Sequence, residues 1–265
     1  MYFSVVGSQV RIVGSMHMLP DYAPNLPQWL WDAYAWSEDL IIESDPPEIL
    51  HHLPLTDGTT LAQYVPATHW AALYEIITRS GVPAEQLATW KPWAALLVME
   101  AALQPYAPGV EAQFLGYRAS HGKPTFMLET GASIAALLDR VPVEIIIRYM
   151  ADVLDAPELA RMRARQLHSS WLERNLAAMH AVARDTPVFQ NEALKQAILT
   201  QRNLAWMPRL RLALQAPRNT LIVVGALHLC GTGSIWELLE QEGYSLIEEA
   251  TGAHTGLETR SLRVL

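Results

Sequence analysis

Four short apolar segments of this chain each run into a titratable residue, and this pattern constrains the fold more than any other feature. Each segment has the length and the aliphatic, often β-branched composition of a buried strand. In an open α/β sheet, the carboxyl ends of parallel strands meet at one edge, where ligands bind. We therefore expect one sheet edge to gather the residues that follow these segments. The segments are residues 10–13 before His17, 40–42 before Glu43, 125–128 before Glu129 and 221–224 before His228.

Two of these segments end in the same motif, Gly-x-x-His, near opposite ends of the chain. The motifs read Gly14-Ser15-Met16-His17 and Gly225-Ala226-Leu227-His228. A glycine at a strand end lets the backbone turn sharply or approach another group closely. Two imidazoles and two carboxylates without a thiolate form a donor set that suits Zn, Mn, Co or Fe(II). Two other readings are open: each histidine could be a hydrogen-bonded structural residue, and Glu129 could stabilise a helix N-terminus.

Composition excludes several classes of protein. The 265 residues are 51% hydrophobic and 17% charged, which is enough apolar material for a large core. A formal net charge of −8 argues against nucleic acid as the main partner. The single cysteine, Cys230, allows neither an intrachain disulfide nor a cysteine-based zinc site, and we expect it to be a small core residue.

The order of predicted elements favours one α/β domain over residues 1–265, with a mixed central sheet and flanking helices. A hairpin over residues 2–13 opens the chain, and apolar strands are predicted near 39–42, 124–128, 220–224 and 244–248. A mostly helical insertion at about 131–215 is expected to pack on the sheet as a cap over the site. Residues 261–265 are a candidate edge strand.

The order and spacing of seven segments resemble the TraB/PrgY/GumN family, which includes the TIKI metalloproteases, over roughly residues 2–249. Glu111 stands where the family usually has Asp, and Gln201 where it often has Glu. The segments are Gly14–His17 followed by Pro20, Leu40-Ile41-Ile42-Glu43, Lys91-Pro92-Trp93, Gly109-Val110-Glu111, Gly122-Lys123-Pro124 to Leu128-Glu129-Thr130, Arg202-Asn203 with Met207, and Gly225–His228.

The resemblance implies a metal-dependent hydrolase, peptidase-like in the TIKI branch, with a fold similar to erythromycin-esterase-like and ChaN-like proteins. We expect His17, Glu43 and His228 to bind a divalent ion. Glu129 would be a further ligand or the general base, with Glu111 as its rival for that role.

The Arg202-Asn203 pair completes the predicted catalytic set. Arg202 would stabilise an oxyanion or bind a substrate carboxylate, and a structural ion pair with Glu43 or Glu129 is the alternative. The metal-activated water would act on peptides or protein N-termini.

A non-catalytic protein that sequesters a peptide, a metal ion or haem is the alternative function. Haem would require one axial histidine in an apolar slot, whereas hydrolysis requires several hard donors. A homo-oligomer is left open. No apolar run reaches the length of a membrane span, and the start of the chain lacks a signal-like segment. A cytoplasmic location is expected for the chain as written, with export of a longer precursor left open.

Overall fold

A computed structural model of the chain describes residues 1–249. Its strands are β1 (Tyr2–Val5), β2 (Val10–Ser15), β3 (Met18–Pro20), β4 (Asp39–Ile42), β5 (Tyr106–Pro108), β6 (Thr125–Met127), β7 (Thr220–Gly225) and β8 (Leu246–Glu248). Six of them form one sheet in the order β6-β4-β7-β2-β1-β8, and β3 pairs with β5 in a separate two-stranded sheet. The mixed central sheet with flanking helices confirms the predicted fold class.

The four strands predicted to end on a functional residue are neighbours in the sheet and run parallel. β2 pairs with β7, β7 with β4, and β4 with β6, all in parallel register. Nearly every residue of β2 and β7 is buried, because both faces of a parallel sheet are covered by helices. β1 and β8 extend the other side of the sheet in antiparallel pairing.

Helices account for most of the remaining described chain. They are α1 (Gln28–Trp36), α2 (Ala67–Arg79), α3 (Ala84–Ala88), α4 (Pro92–Ala102), α5 (Val110–His121), α6 (Gly131–Leu138), α7 (Val143–Asp155), α8 (Pro157–Leu172), α9 (Leu176–Arg184), α10 (Pro187–Gln190), α11 (Glu192–Lys195), α12 (Gln201–Gln215) and α13 (Ile235–Gln241). Short 3-10 helices cover Pro46–His52, Leu61–Gln63 and Ala226–Leu229, and a π-helical turn at Gln196–Thr200 leads into α12.

The described residues bury two hydrophobic clusters. The first lies around the main sheet and includes β2, β4 and β7 together with residues of α1, α12 and α13. The second joins α2, α4, α6 and α7 with residues Leu194 and Ala197. The helices over 131–215 contribute to both clusters, and a capping role for them remains a prediction.

Sequence patterns missed the pair of strands β3 and β5. Each strand has three residues and contains a proline, so neither shows the alternation that predicts a strand. The candidate edge strand at residues 261–265 lies outside the described residues. Within residues 1–249, no helix combines the length and the apolar character needed to cross a membrane.

Candidate metal centre

The parallel register brings the predicted site residues to one edge of the sheet. Ser15 at the end of β2 lies opposite Gly225 at the end of β7, and Ile42 of β4 lies opposite Val223 and Met127. The chain segments that leave these strand ends carry the side chains of the candidate site.

Both Gly-x-x-His histidines face one carboxylate oxygen. The Nε2 atoms of His17 and His228 each lie 3.7 Å from Oε1 of Glu43. The Gly225 N–H donates a hydrogen bond to the same oxygen at 2.5 Å. A Cβ on Gly225 would lie 3.2 Å from Glu43 Oε1 and 3.3 Å from His17 Nε2, so a side chain there would crowd both groups. The predicted convergence of His17, Glu43 and His228 is observed, and the second motif begins with glycine for a steric reason.

Glu111 joins this group through the β3–β5 pair. The backbone pairing continues past one end of this two-stranded sheet, where Gly109 N–H donates to His17 O and Val110 N–H donates to Met16 O, each at 3.0 Å. A Cβ on Gly109 would lie 2.1 Å from Met16 O, so this close approach requires glycine. The pairing starts α5 beside His17 and places Glu111 in the first turn of that helix.

The Glu111 carboxylate has one satisfied and one unsatisfied oxygen. Ser15 Oγ donates to Oε1, and His17 Nδ1 lies 3.2 Å from the same atom. Oε2 is buried and has no hydrogen-bond partner among residues 1–249. Buried carboxylate oxygens are normally hydrogen-bonded, so an orphaned oxygen on a carboxylate that contacts an imidazole fits a bound cation.

Among the described residues, His17, Glu43 and Glu111 can place one donor atom each within 4.8 Å of one another, which is the spacing of a metal site. This set shares two members with the predicted ligands and contains Glu111 instead of His228. The side chain of His17 is 57% exposed, whereas those of Glu43 and Glu111 are buried, so the group opens to solvent at His17.

Arg202 lies beside this group and binds two carboxylates, that of Glu43 within the group and that of Glu129 outside it. Its Nη2 donates to Glu43 Oε2 at 2.5 Å and also to Glu129 Oε1, and its Nε donates to Glu129 Oε1 at 2.8 Å. Its Nη1 donates to Ile198 O at 3.0 Å, within the π-helical turn. The structure therefore contains the ion pair between Arg202 and the two carboxylates, which is the alternative to a role of Arg202 in chemistry.

His228 is held from both sides of its ring. Asn203 Nδ2 donates to Gly233 O at 2.8 Å, which turns Oδ1 toward His228 Nδ1 at 2.5 Å. This network assigns the ring proton to Nδ1 and leaves the Nε2 lone pair toward Arg202 Nη1, at 3.3 Å. The ring of Trp206 packs against the imidazole with 4.6 Å between centroids.

Burial and charge set the protonation of the site. Burial lowers the pKa of His228 to about 3, so its imidazole is neutral. The carboxylate of Glu111, aided by that of Glu43, raises the pKa of His17 to about 9. Burial would raise the pKa of Glu43, but Arg202 and the Gly225 hydrogen bond hold it below its usual range. For Glu129, burial prevails over Arg202 and raises the pKa above its usual value.

Cys230 is half-buried, and its thiol lacks the lowered pKa that activates a nucleophile. Burial raises the pKa of its thiol to about 12, and its Sγ lies 3.6 Å from Leu227 O.

Two residues of the site were missed by the sequence patterns. Ser15 has no signal beyond its position inside the Gly-x-x-His motif, and Trp206 lies among apolar residues at a spacing that is typical of helix core packing.

The fold and the site together define an α/β protein with a His–carboxylate–Arg cluster at the carboxyl ends of parallel strands. The chain belongs to the TraB/PrgY/gumN family, whose sequence model matches residues 4–247. It is 27% identical to YbaP of Escherichia coli (strain K12) over 248 residues, covering 86% of this chain and 87% of YbaP. YbaP of Shigella flexneri shows the same identity and coverage. No solved structure matches the chain significantly.

Proposed function

We propose that the protein is a metal-dependent hydrolase that cleaves peptide bonds in peptides or at protein N-termini. Glu111 carries the proposal: its buried Oε2 has no hydrogen-bond partner among the described residues, and the residue forms one donor group with His17 and Glu43. Imidazole and carboxylate donors suit Mn, Co, Zn or Fe(II).

The charges of the site support a divalent ion. The cluster contains three buried carboxylates, Glu43, Glu111 and Glu129, and one guanidinium, Arg202, which pairs with Glu43 and Glu129. Its net charge is therefore −2 when both imidazoles are neutral. Buried charge of one sign is costly unless it is compensated. A divalent cation would bring the cluster to neutrality.

His17, Glu43 and Glu111 would hold the ion. When bound, the ion lowers the pKa of a water ligand toward neutrality and polarises a carbonyl oxygen. His228 as a further ligand stays a prediction, because its Nε2 would have to exchange its contact with Arg202 for one with the ion.

The side chains of Glu129 and Arg202 are suited to the proton transfer and charge stabilisation that hydrolysis requires. Glu129 has a pKa above its usual value, which brings it closer to the working pH of a general base. It would accept a proton from water and return it to the leaving amine, while the C–N bond breaks and hydroxyl joins the acyl carbon. Arg202 is permanently charged and would stabilise negative charge on the carbonyl oxygen.

The arrangement favours hydrolysis over haem binding. Haem would need a histidine in an apolar slot, but here both histidines lie 3.7 Å from a carboxylate oxygen. Sequestration of a peptide without cleavage is the alternative, and the experiment below distinguishes it from hydrolysis.

The test is metal-dependent cleavage of a peptide library. The protein is purified without chelator, and products are identified by mass spectrometry with the metal present, removed and restored. We expect cleavage that depends on the metal and is lost in His17→Ala but kept in His51→Ala, a control histidine in the exposed turn at Pro46–His52. Peptide binding without any product, with metal present, would show a sequestering protein instead.

A further inference from the structure

We propose that the site is built for two cations and that the Arg202 guanidinium permanently occupies the second position. The inference rests on the proposed function for the first position, the metal group of His17, Glu43 and Glu111. The second position is formed by Glu43, Glu129 and His228, and we infer that it accepts a divalent ion when the guanidinium is removed.

Glu43 is shared between the two positions: Oε2 belongs to the second, and Oε1 lies near a histidine of each, with His228 Nε2 also 3.7 Å away. Its Oε1 accepts the Gly225 hydrogen bond and lies 3.7 Å from His17 Nε2, on the side of the metal group. Its Oε2 accepts from Arg202 Nη2 at 2.5 Å. A carboxylate that bridges two cations in this way is typical of two-metal hydrolases, where the ions lie about 3.5–4 Å apart.

The donors around the guanidinium are the same kinds of groups that would bind the metal. Glu43 and Glu129 each contribute a carboxylate oxygen to Nη2, and the neutral imidazole of His228 faces Nη1 with its Nε2. All three side chains are at least nine-tenths buried. Without the guanidinium, two buried carboxylates and an imidazole would surround an uncompensated space, which is a site for a divalent ion.

Arg202 is fixed in place by contacts that a free ion would not have. Ile198 O accepts from Nη1, and the guanidinium carbon lies 4.9 Å from the centroid of the Trp206 ring. A guanidinium cannot lose its proton at working pH and cannot dissociate. The enzyme would therefore need only one exchangeable ion and would keep the second charge in every metal state.

The experiment counts bound ions rather than turnover. Protein is dialysed against excess Mn²⁺, separated from free ion, and its metal measured by inductively coupled plasma mass spectrometry. We expect one ion per chain for the wild type, two for Arg202→Ala, and one for the double variant Arg202→Ala/Glu129→Gln. Arg209→Ala, which removes an exposed arginine of the same helix, should keep one ion.

One ion in a folded Arg202→Ala protein, or two in the wild type, would overturn the inference. Circular dichroism establishes folding, and Arg202→Met is the second variant, because it keeps an apolar stem against Trp206. If neither variant folds without metal, both are refolded and counted in excess Mn²⁺, because the inference predicts that a second ion replaces the lost charge. Failure to fold in excess Mn²⁺ would overturn it. The result is independent of peptide cleavage: a wild type that binds one ion but cleaves nothing removes the proposed hydrolase and leaves the second cation position intact.

Discussion

Arg202 Nη2 donates to Glu43 Oε2 at 2.5 Å, which joins the start of α12 to the residue that follows β4, 159 positions away. This ion pair links a helix outside the sheet to the carboxylate that both Gly-x-x-His histidines face. We therefore expect Arg202 to contribute to the stability of the site and, under the proposed function, to its chemistry.

Replacing Arg202 by alanine should therefore destabilise the metal-free protein by about 3–5 kcal/mol, because Glu43 and Glu129 are left buried without their cation. It should also lower turnover roughly 10²–10³-fold, the size of a lost oxyanion donor. Urea unfolding at pH 7 and peptide cleavage check the two effects on one preparation. Arg209→Ala serves as the control and should change stability by no more than about 0.5 kcal/mol. An Arg202→Ala protein with unchanged unfolding and full activity would contradict both roles.

Binding of a metal ion should release close to one proton at pH 7.5. Glu111 raises the pKa of His17 to about 9, so its imidazole is protonated at that pH, and a ligand imidazole must be neutral. Affinity should fall by roughly tenfold per pH unit as the pH drops below about 9. The general pKa of histidine would instead place this loss below about 6.5. Calorimetry in buffers of different ionisation enthalpy measures the proton count, and an affinity that is flat from pH 9 to pH 6.5 is the opposing result.

Asn203→Ala should destabilise the protein by about 1–3 kcal/mol, because the buried Nδ1–H of His228 loses its acceptor. Asn203→Asp keeps an acceptor and adds a negative charge, which should raise the pKa of His228 from its low value. Thermal unfolding measures the first effect and the NMR titration of the imidazole the second. An unchanged His228 titration in Asn203→Asp would show that this contact does not control the ring.

Gly225→Ala should weaken metal binding while leaving the fold in place. The added Cβ would lie 3.2 Å from Glu43 Oε1 and 3.3 Å from His17 Nε2, so these two groups must shift by a few tenths of an ångström. Overpacking of this kind costs about 1–3 kcal/mol. Gly116→Ala is a matched control, because a Cβ at this position meets nothing within 4 Å. Equal metal affinity in the two variants would indicate that the end of β7 does not shape the site.

The sequence predicts the central sheet because its parallel strands are continuous apolar runs, and each run is followed within four residues by the residue that reaches the site. It predicts the convergence of His17, Glu43 and His228 for the same reason. The local pattern contains no information about the β3–β5 pairing, which depends on contact between segments about 90 residues apart and gives Glu111 its place. Without that pairing, the sequence cannot place Glu111 beside His17, so Glu111 and Glu129 are both candidates for the general base.

A second Arg-Asn pair shows why position in the fold decides between similar motifs. Arg174 pairs with Glu248 at the edge of the sheet, and Asn175 caps the N-terminus of α9 through Ala178 N–H. The pair at the start of α12 reaches the site instead, because Arg202 donates to Glu43 and Asn203 contacts His228.

The most direct test of the account is the position of a bound ion. Crystals grown with Co²⁺ or Mn²⁺ would be measured for anomalous scattering at the metal edge. The account predicts one anomalous peak per chain about 2.0–2.3 Å from donor atoms of His17, Glu43 and Glu111. The peak should be lost in Glu111→Gln. A peak bound elsewhere on the chain, or one of full height in Glu111→Gln, would contradict the account.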